Sequence, residues 1–171
     1  MQPFGFLFLA RCAIALGMTF AISAVPAALP AAGQAAPDFT LKSASGQNLR
    51  LRELRGEVVL INFWATWCGP CRQEMPLLNK IHEQYRKAGF RLLGVNIDDD
   101  PAAARDMARK LGVAFAVLLD TDKRVSKLYD VDTMPATLLV DRNGTVRYVH
   151  RGYRPGLEVT YQNQIRELLK Q

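Results

Sequence analysis

Hydrophobic positions along this chain change period several times, and each change marks an element. Residues 38–42 and 48–51 read as two short strands around Ser45 and Gly46, which is a hairpin signal. Residues 57–63 form a nearly continuous apolar run, as does a strand covered on both faces at the centre of a parallel sheet. Over 70–87, Met75, Leu78, Ile81 and Tyr85 recur at helical spacing and give one apolar face. Pro76 is expected to kink that helix and Gly89 to end it. A second buried strand covers 90–97. Asp98, Asp99 and Asp100 then offer an N-cap, and Pro101 a first-turn residue, for a helix that reaches Leu111 and stops at Gly112. The pattern continues with a strand at 116–119, a helix at 122–129 and a strand at 137–140. A tight turn over 141–144 leads into a strand at 145–150, and a helix at 156–170 closes the chain. Alternating strands and helices imply an α/β fold, with a central mixed sheet flanked by helices, parallel at its centre and antiparallel at one edge. No internal repeat or linker interrupts 38–171, so this stretch reads as one domain.

The residues before it follow a different rule. Between Arg11 and Asp38 there is no charged side chain, and the apolar run 12–25 is followed by the small-residue tract 27–36. A positive residue, an apolar run and then small residues is the layout of a secretory signal, with Ala31, Ala32 and Gly33 offering a cut before Gln34. The same stretch can stay as a membrane anchor, since about 20 residues span a bilayer, with Arg11 on the cytoplasmic side. Both readings divide the chain into a leader, 1–33, and a globular domain, 34–171. Both place the domain in the periplasm or another extracytoplasmic space, secreted or anchored by residues 12–32. Cys12 lies in the leader and reads as one of its small apolar residues.

Composition narrows the partners. With 171 residues, about half of them apolar, the chain can bury a core without disulfide staples, so its three cysteines are not a structural framework. A net charge of +6 raises the question of nucleic acid or an acidic membrane surface. Basic residues alternate with acidic ones, as in Arg50, Arg52, Glu53, Arg55 and Glu57, and no basic run interleaves with aromatics. No nucleic-acid partner is expected, and the membrane is met only through the N-terminal segment.

The candidate chemistry lies in Cys68-Gly69-Pro70-Cys71, which follows an expected strand and opens an expected helix. A sulfur at a helix N-terminus faces unpaired backbone N–H groups and the positive end of the helix dipole, which favour the thiolate. Cys68 is expected exposed at the tip, as the nucleophile. Cys71, one turn deeper, is expected to resolve a mixed disulfide. Pro70 suits and stiffens the first turn. The alternative, a zinc half-site, lacks a second cysteine pair, and His82 and His150 have no partner at ligand spacing. The working group is thus the redox-active Cys68–Cys71 pair itself, with no cofactor and no metal.

Phe63 to Cys71 followed by Pro76 resembles the active-site segment of thioredoxins. Thr133, Met134, Pro135, Ala136 and Thr137 resemble the cis-proline loop of that family, with Pro135 as the cis-proline and Gly152 at the family's glycine near the last strand. The opening Pro37-Asp38-Phe39 and the extra helix–strand unit at about 101–119 resemble the TlpA-like branch, periplasmic or membrane-tethered thioredoxins that include cytochrome c maturation reductases. The resemblance covers nearly all of 36–171. It implies a thioredoxin fold with an N-terminal β-hairpin. It also implies a substrate groove built from Trp67, Gly69, Pro70, Met134 and Pro135, an extended client docking beside Met134. Clients with cysteine pairs and a membrane dithiol electron donor are the expected partners.

One departure matters. Thioredoxins carry a buried aspartate six residues before the first cysteine, and here that position is Asn62, which does not titrate. Glu74, three residues after Cys71, is the expected acid–base group in its place; the alternative is a solvated helix glutamate. The glycine–proline dipeptide resembles that of reducing thioredoxins, so the expected activity is reduction of protein disulfides. Two other functions compete. Peroxiredoxin-type thiol peroxidases share the fold and the Pro37-Asp38-Phe39 opening, though their loop lacks the paired cysteine. Non-catalytic copper-binding or chaperone modules of this fold use a wider cysteine spacing and a downstream histidine.

Overall fold

The structure, a computed structural model, describes residues 30–171 together with Met1, so the apolar part of the leader, and its role as signal or anchor, lie outside the described residues. Among the described residues no helix is long and apolar enough to cross a membrane. Seven strands form one sheet: β1 Thr40–Ser43, β2 Asn48–Arg50, β3 Val58–Trp64, β4 Phe90–Asn96, β5 Ala116–Leu119, β6 Ala136–Val140 and β7 Val146–Arg151. Among the described residues four α-helices accompany them: α1 Gly69–Tyr85, α2 Pro101–Lys110, α3 Arg124–Leu128 and α4 Leu157–Leu169. The sheet order is β2-β1-β5-β4-β3-β6-β7. Strands β3, β4 and β5 run parallel at its centre. The antiparallel edge expected from the last hairpin is present as β6 and β7 against β3. The N-terminal hairpin makes a second antiparallel edge, because β1 returns alongside β5.

Strand β3 shows why the sheet carries a core on each face. Its seven residues are all buried, and side chains alternate between faces. Val59, Ile61 and Phe63 pack with Val95, Leu118, Val125 and Tyr129. Val58, Leu60 and Trp64 face the other way, onto Met75, Leu78 and Ile81 of α1 and Tyr161, Ile165 and Leu168 of α4. Burying each such side chain contributes about 1.5–3 kcal/mol relative to exposure. By the same alternation Asn62 points into the α1–α4 layer, and this single polar residue in an apolar run is the one that meets the site.

The elements fall within two residues of their expected bounds, and the small shifts at their ends have local causes. The strand expected over 48–51 stops at Arg50, and Leu51 turns into a 3-10 segment, Leu51–Leu54, that buries its side chain. The helix expected over 122–129 is only Arg124–Leu128: Lys123 sits at a left-handed φ of 55°, and the carboxylate of Asp120 accepts from the N–H groups of Val125 and Ser126 at 3.0 and 2.7 Å. Helix α1 runs unbroken through Pro76, which lies on its exposed face. Of the three aspartates before α2, Asp100 is the N-cap, accepting from the N–H of Ala102 at 2.8 Å. That frees Asp98 for another task.

Candidate active site

Trp64 ends β3 fully buried, and the chain then leaves the sheet for four residues before α1 begins. Asp98, at the end of the neighbouring strand, holds this short loop: its carboxylate accepts from the Thr66 N–H at 2.9 Å and the Thr66 hydroxyl at 3.1 Å. Asn96 Nδ2 donates to the same carboxylate at 2.7 Å, and Arg72 Nη1 donates to the Thr66 carbonyl at 2.6 Å. The loop therefore delivers Cys68 to the N-cap of α1 in a fixed pose.

Cys68 and Cys71 are joined in a disulfide with their Cα atoms 5.3 Å apart, and the Cys71 N–H donates to Cys68 Sγ at 3.2 Å. A thiolate at Cys68 would inherit that donor and the positive end of a seventeen-residue helix. The expected exposure of Cys68 is not observed: it is only 6% exposed, because ring closure turns its sulfur inward toward Cys71 and Met134 packs over the cluster. Cys71 has no exposure at all.

Glu74 is the residue whose environment departs furthest from its type. The solvated-helix alternative fails, since Glu74 is fully buried in the same face of α1 as Cys71 and Met75. The Tyr161 hydroxyl donates to Glu74 Oε1 at 2.8 Å, and Asn62 Nδ2 donates to Glu74 Oε2 at 2.9 Å. Asn62 Nδ2 also donates to Thr137 Oγ1 at 2.9 Å, across the register that pairs Asn62 with Thr137. Burial pushes the Glu74 carboxyl up to about 7, against the two hydrogen bonds, which pull it down, and with a small push from Glu158. A carboxyl poised there can take or give a proton at neutral pH. Asn62 itself keeps its Oδ1 buried and without a partner.

Beside the disulfide runs an open groove of about 450 Å³. Of the residues read from the sequence as its walls, Trp67, Pro70 and Met134 line it together with Cys68. Trp67 stands 66% exposed at its rim. Gly69 opens α1, and Pro135, buried after a cis Met134–Pro135 bond, holds the Gly152 N–H on its carbonyl at 2.7 Å; neither lines the groove. Ile97, Val131 and Asp132 line it as well. The sequence does not mark these three, nor Tyr161, Thr137 and Asp98, as site residues. Asp98 leaves a signal as a surplus carboxylate before a helix already capped, and Thr137 one as the last residue of the loop around Pro135.

A larger cleft, about 660 Å³, lies at the other edge between the β1–β2 hairpin and α2. Of its four arginines, Arg50, Arg91 and Arg109 are paired with Asp38, Glu57 and Asp106, and Arg105 donates to the Ala44 carbonyl at 3.4 Å. His82 is a buried helix-face residue against Phe115, its pKa lowered by burial, and His150 packs edge-on against Tyr161 with Nε2 2.8 Å from Gln164 Oε1. Among the described residues no cluster of three or more His, Cys, Asp or Glu side chains is placed to hold a metal ion.

Fold, disulfide and buried carboxyl together define a thioredoxin-fold thiol–disulfide oxidoreductase. The profile of the AhpC/TSA family matches residues 32–149, and the chain belongs to that thioredoxin-like family. It is 38% identical over 122 residues to the thiol-disulfide oxidoreductase ResA of Geobacillus kaustophilus, covering 71% of this chain and 70% of that one. The ResA of Halalkalibacterium halodurans is 31% identical over 163 residues, 95% of this chain and 91% of its own. Among solved structures, a thiol:disulfide interchange protein DsbE from Chlorobium tepidum superposes with a TM-score of 0.78 at 36% identity, over 82% of this chain and 99% of that one. A protein disulfide isomerase from Bacteroides thetaiotaomicron gives 0.77 at 33% identity, over 84% and 92%.

Proposed function

We propose that this oxidoreductase works outside the cytoplasm as a reductant of protein disulfides, with Cys68 as nucleophile, Cys71 as resolving thiol and Glu74 as the acid–base group. The observation that carries the reading is Glu74: a fully buried carboxyl one helical turn beyond Cys71, raised to about 7 by burial. In the reduced protein the Cys68 thiolate attacks one sulfur of a client disulfide, and the first client thiolate leaves and takes a proton. Cys71 then gives its proton to the Glu74 carboxylate and, as thiolate, attacks Cys68 Sγ. The second client thiolate leaves, the client has gained two electrons, and the Cys68–Cys71 disulfide is left behind. Burial disfavours the Cys71 thiolate, so a nearby acceptor for its proton matters.

The groove supports a client that lies extended against Met134 with apolar side chains toward Trp67, Pro70 and Ile97. The clients in this reading are exported proteins with a cysteine pair, apocytochrome c and metal-site cysteines among them. A membrane dithiol donor re-reduces the pair, and no cofactor is needed. The closed ring within one helical turn favours exchange over a peroxidase, whose resolving cysteine is not part of such a pair.

Glu74→Gln tests the reading. Its reduction of a model disulfide is expected to fall about 10²–10⁴-fold near neutral pH, the usual contribution of a positioned acid–base group. Rates equal to wild type from pH 5 to 9 would return Glu74 to a structural role.

A further inference from the structure

We infer that Tyr161, with Asn62 and Thr137, is a positioning residue that lets Glu74 hold either protonation state in an interior closed to water. The inference rests on the acid–base reading of Glu74 and assigns the residues that make it workable.

A carboxyl with no exposure cannot turn to solvent when its charge changes, so its partners must serve both states. Ionised Glu74 needs two donors and has them, the Tyr161 hydroxyl on Oε1 and Asn62 Nδ2 on Oε2. Protonated Glu74 needs one partner to become an acceptor. The Tyr161 hydroxyl can do so by rotating its own proton away from Oε1, and Thr137 Oγ1, which accepts from Asn62 Nδ2, belongs to the same network. Asn62 offers a second route, because its Oδ1 is buried with no partner and is an acceptor held in reserve. A buried acceptor left open in a well-packed layer has a cost, and here it has a use. Asn62 lies on β3, Thr137 on β6, Tyr161 on α4 and Glu74 on α1, so four elements close on one carboxyl.

The surroundings add few charges. From α1 the site faces Cys71 and, beyond it, Cys68. From α4 it faces Glu158, whose charge opposes ionisation of Glu74. Tyr153, between β7 and α4, donates to Glu158 Oε2 at 3.3 Å. From β7, His150 reaches the ring of Tyr161, 5.0 Å between centroids. Strands β3 and β6 present only the uncharged Asn62 and Thr137. Of these groups Tyr161 alone gives Glu74 a hydrogen bond that can reverse direction without moving a heavy atom.

The test follows the Glu74 carboxyl carbon by NMR in the oxidised full-length chain, where the cysteines do not titrate. Tyr161→Phe keeps the ring and removes the hydroxyl, so the carboxyl midpoint is expected to move up by about one to two pH units, the weight of one hydrogen bond to a charged group. In the reduced protein the pH profile of disulfide exchange should move in the same direction, with a rate loss at pH 7 that recovers at higher pH. Tyr161→Phe added to Glu74→Gln should leave the profile of Glu74→Gln unchanged. Fluorotyrosine at 161, a stronger donor of the same shape, should move the midpoint down, which keeps the inference testable if the phenylalanine variant does not fold. Exchange unaffected by Glu74→Gln would overturn the acid–base reading and this inference with it. A midpoint and profile unmoved by Tyr161→Phe, where Glu74→Gln does slow exchange, would overturn the inference alone.

Discussion

Glu74 also makes a statement about stability, because its carboxyl titrates at about 7 in the folded chain against an ordinary 4.5. Between those values the folded chain holds a proton that the unfolded chain has released. The contribution of this site to stability is therefore full below pH 4.5 and is lost as pH rises to about 7. The loss is on the order of 3 kcal/mol. Glu74→Gln keeps an acceptor for Asn62 and a donor for Tyr161 and never ionises. The oxidised variant is expected to be more stable than wild type by up to about 3 kcal/mol at pH 8, with the gap closing toward pH 5. Urea unfolding at the two pH values checks it; a gap that grows toward acid pH would contradict the assignment of the raised carboxyl. How much of this site the sequence shows depends on distance along the chain. Cys68, Cys71 and Glu74 lie within one helical stretch, where spacing alone puts them on a shared face. Tyr161 is 87 residues from Glu74, and Thr137 is 75 from Asn62, so neither contact leaves a local pattern. Asn62 was visible as the one polar residue in an apolar strand, but not what it touches.

At the scale of elements the sequence is most legible where one physical requirement dominates. The buried strands β3 and β4 and the amphipathic α1 were readable because burial dictates their pattern over many residues. The short pieces were readable as elements but their ends were not, since α3 is set by Asp120 and the end of β2 by the inward turn of Leu51, each a side-chain decision at one position. Gly94 in β4 shows such a decision made by the absence of a side chain. A Cβ there would stand 2.7 Å from Phe115 Cε2 and 3.2 Å from Trp64 Nε1. Strand β4 thus leaves room for the two rings that pack beside the end of β3, immediately before the Cys68 loop. Phe115 is a ring edge in a filled layer, so the strain must spread into Trp64 or the sheet. Gly94→Ala is expected to cost about 1–3 kcal/mol, the usual range for overpacking. Calorimetry of the oxidised protein checks the stability, and an unchanged melting temperature would show that the layer holds slack that these distances deny.

At the scale of the molecule, the position of the leader relative to the disulfide decides what the leader can affect. The described chain enters along the start of β7: Ala35 bridges to Thr145, and the Gly33 N–H donates to the Val146 carbonyl at 2.8 Å. Val146 pairs with Val140, which pairs with Val59 near the start of β3, whereas Ala136 pairs with Phe63 near its end. The described end of the leader therefore joins at the opposite end of the sheet from Cys68; the stretch from Val59 to Phe63 alone is roughly 13 Å along the strand at ~3.3 Å per residue. The groove at Trp67 and Met134 lies beyond the other end of β3 from that junction. Chains shortened to begin at Pro30 and at Gln34 should then reduce a model disulfide at the same rate as each other and as the full chain. They should differ in stability, because only the first keeps the Gly33 bond to Val146 and the bonds between Ala31 and Gln34. One backbone hydrogen bond is worth about 1 kcal/mol, or a few degrees of melting temperature for a domain of this size. Exchange rates and melting curves of the two shortened proteins, measured side by side, separate the effects. A folded protein beginning at Gln34 that lost its exchange activity would mean that the leader junction and the disulfide are coupled through the sheet.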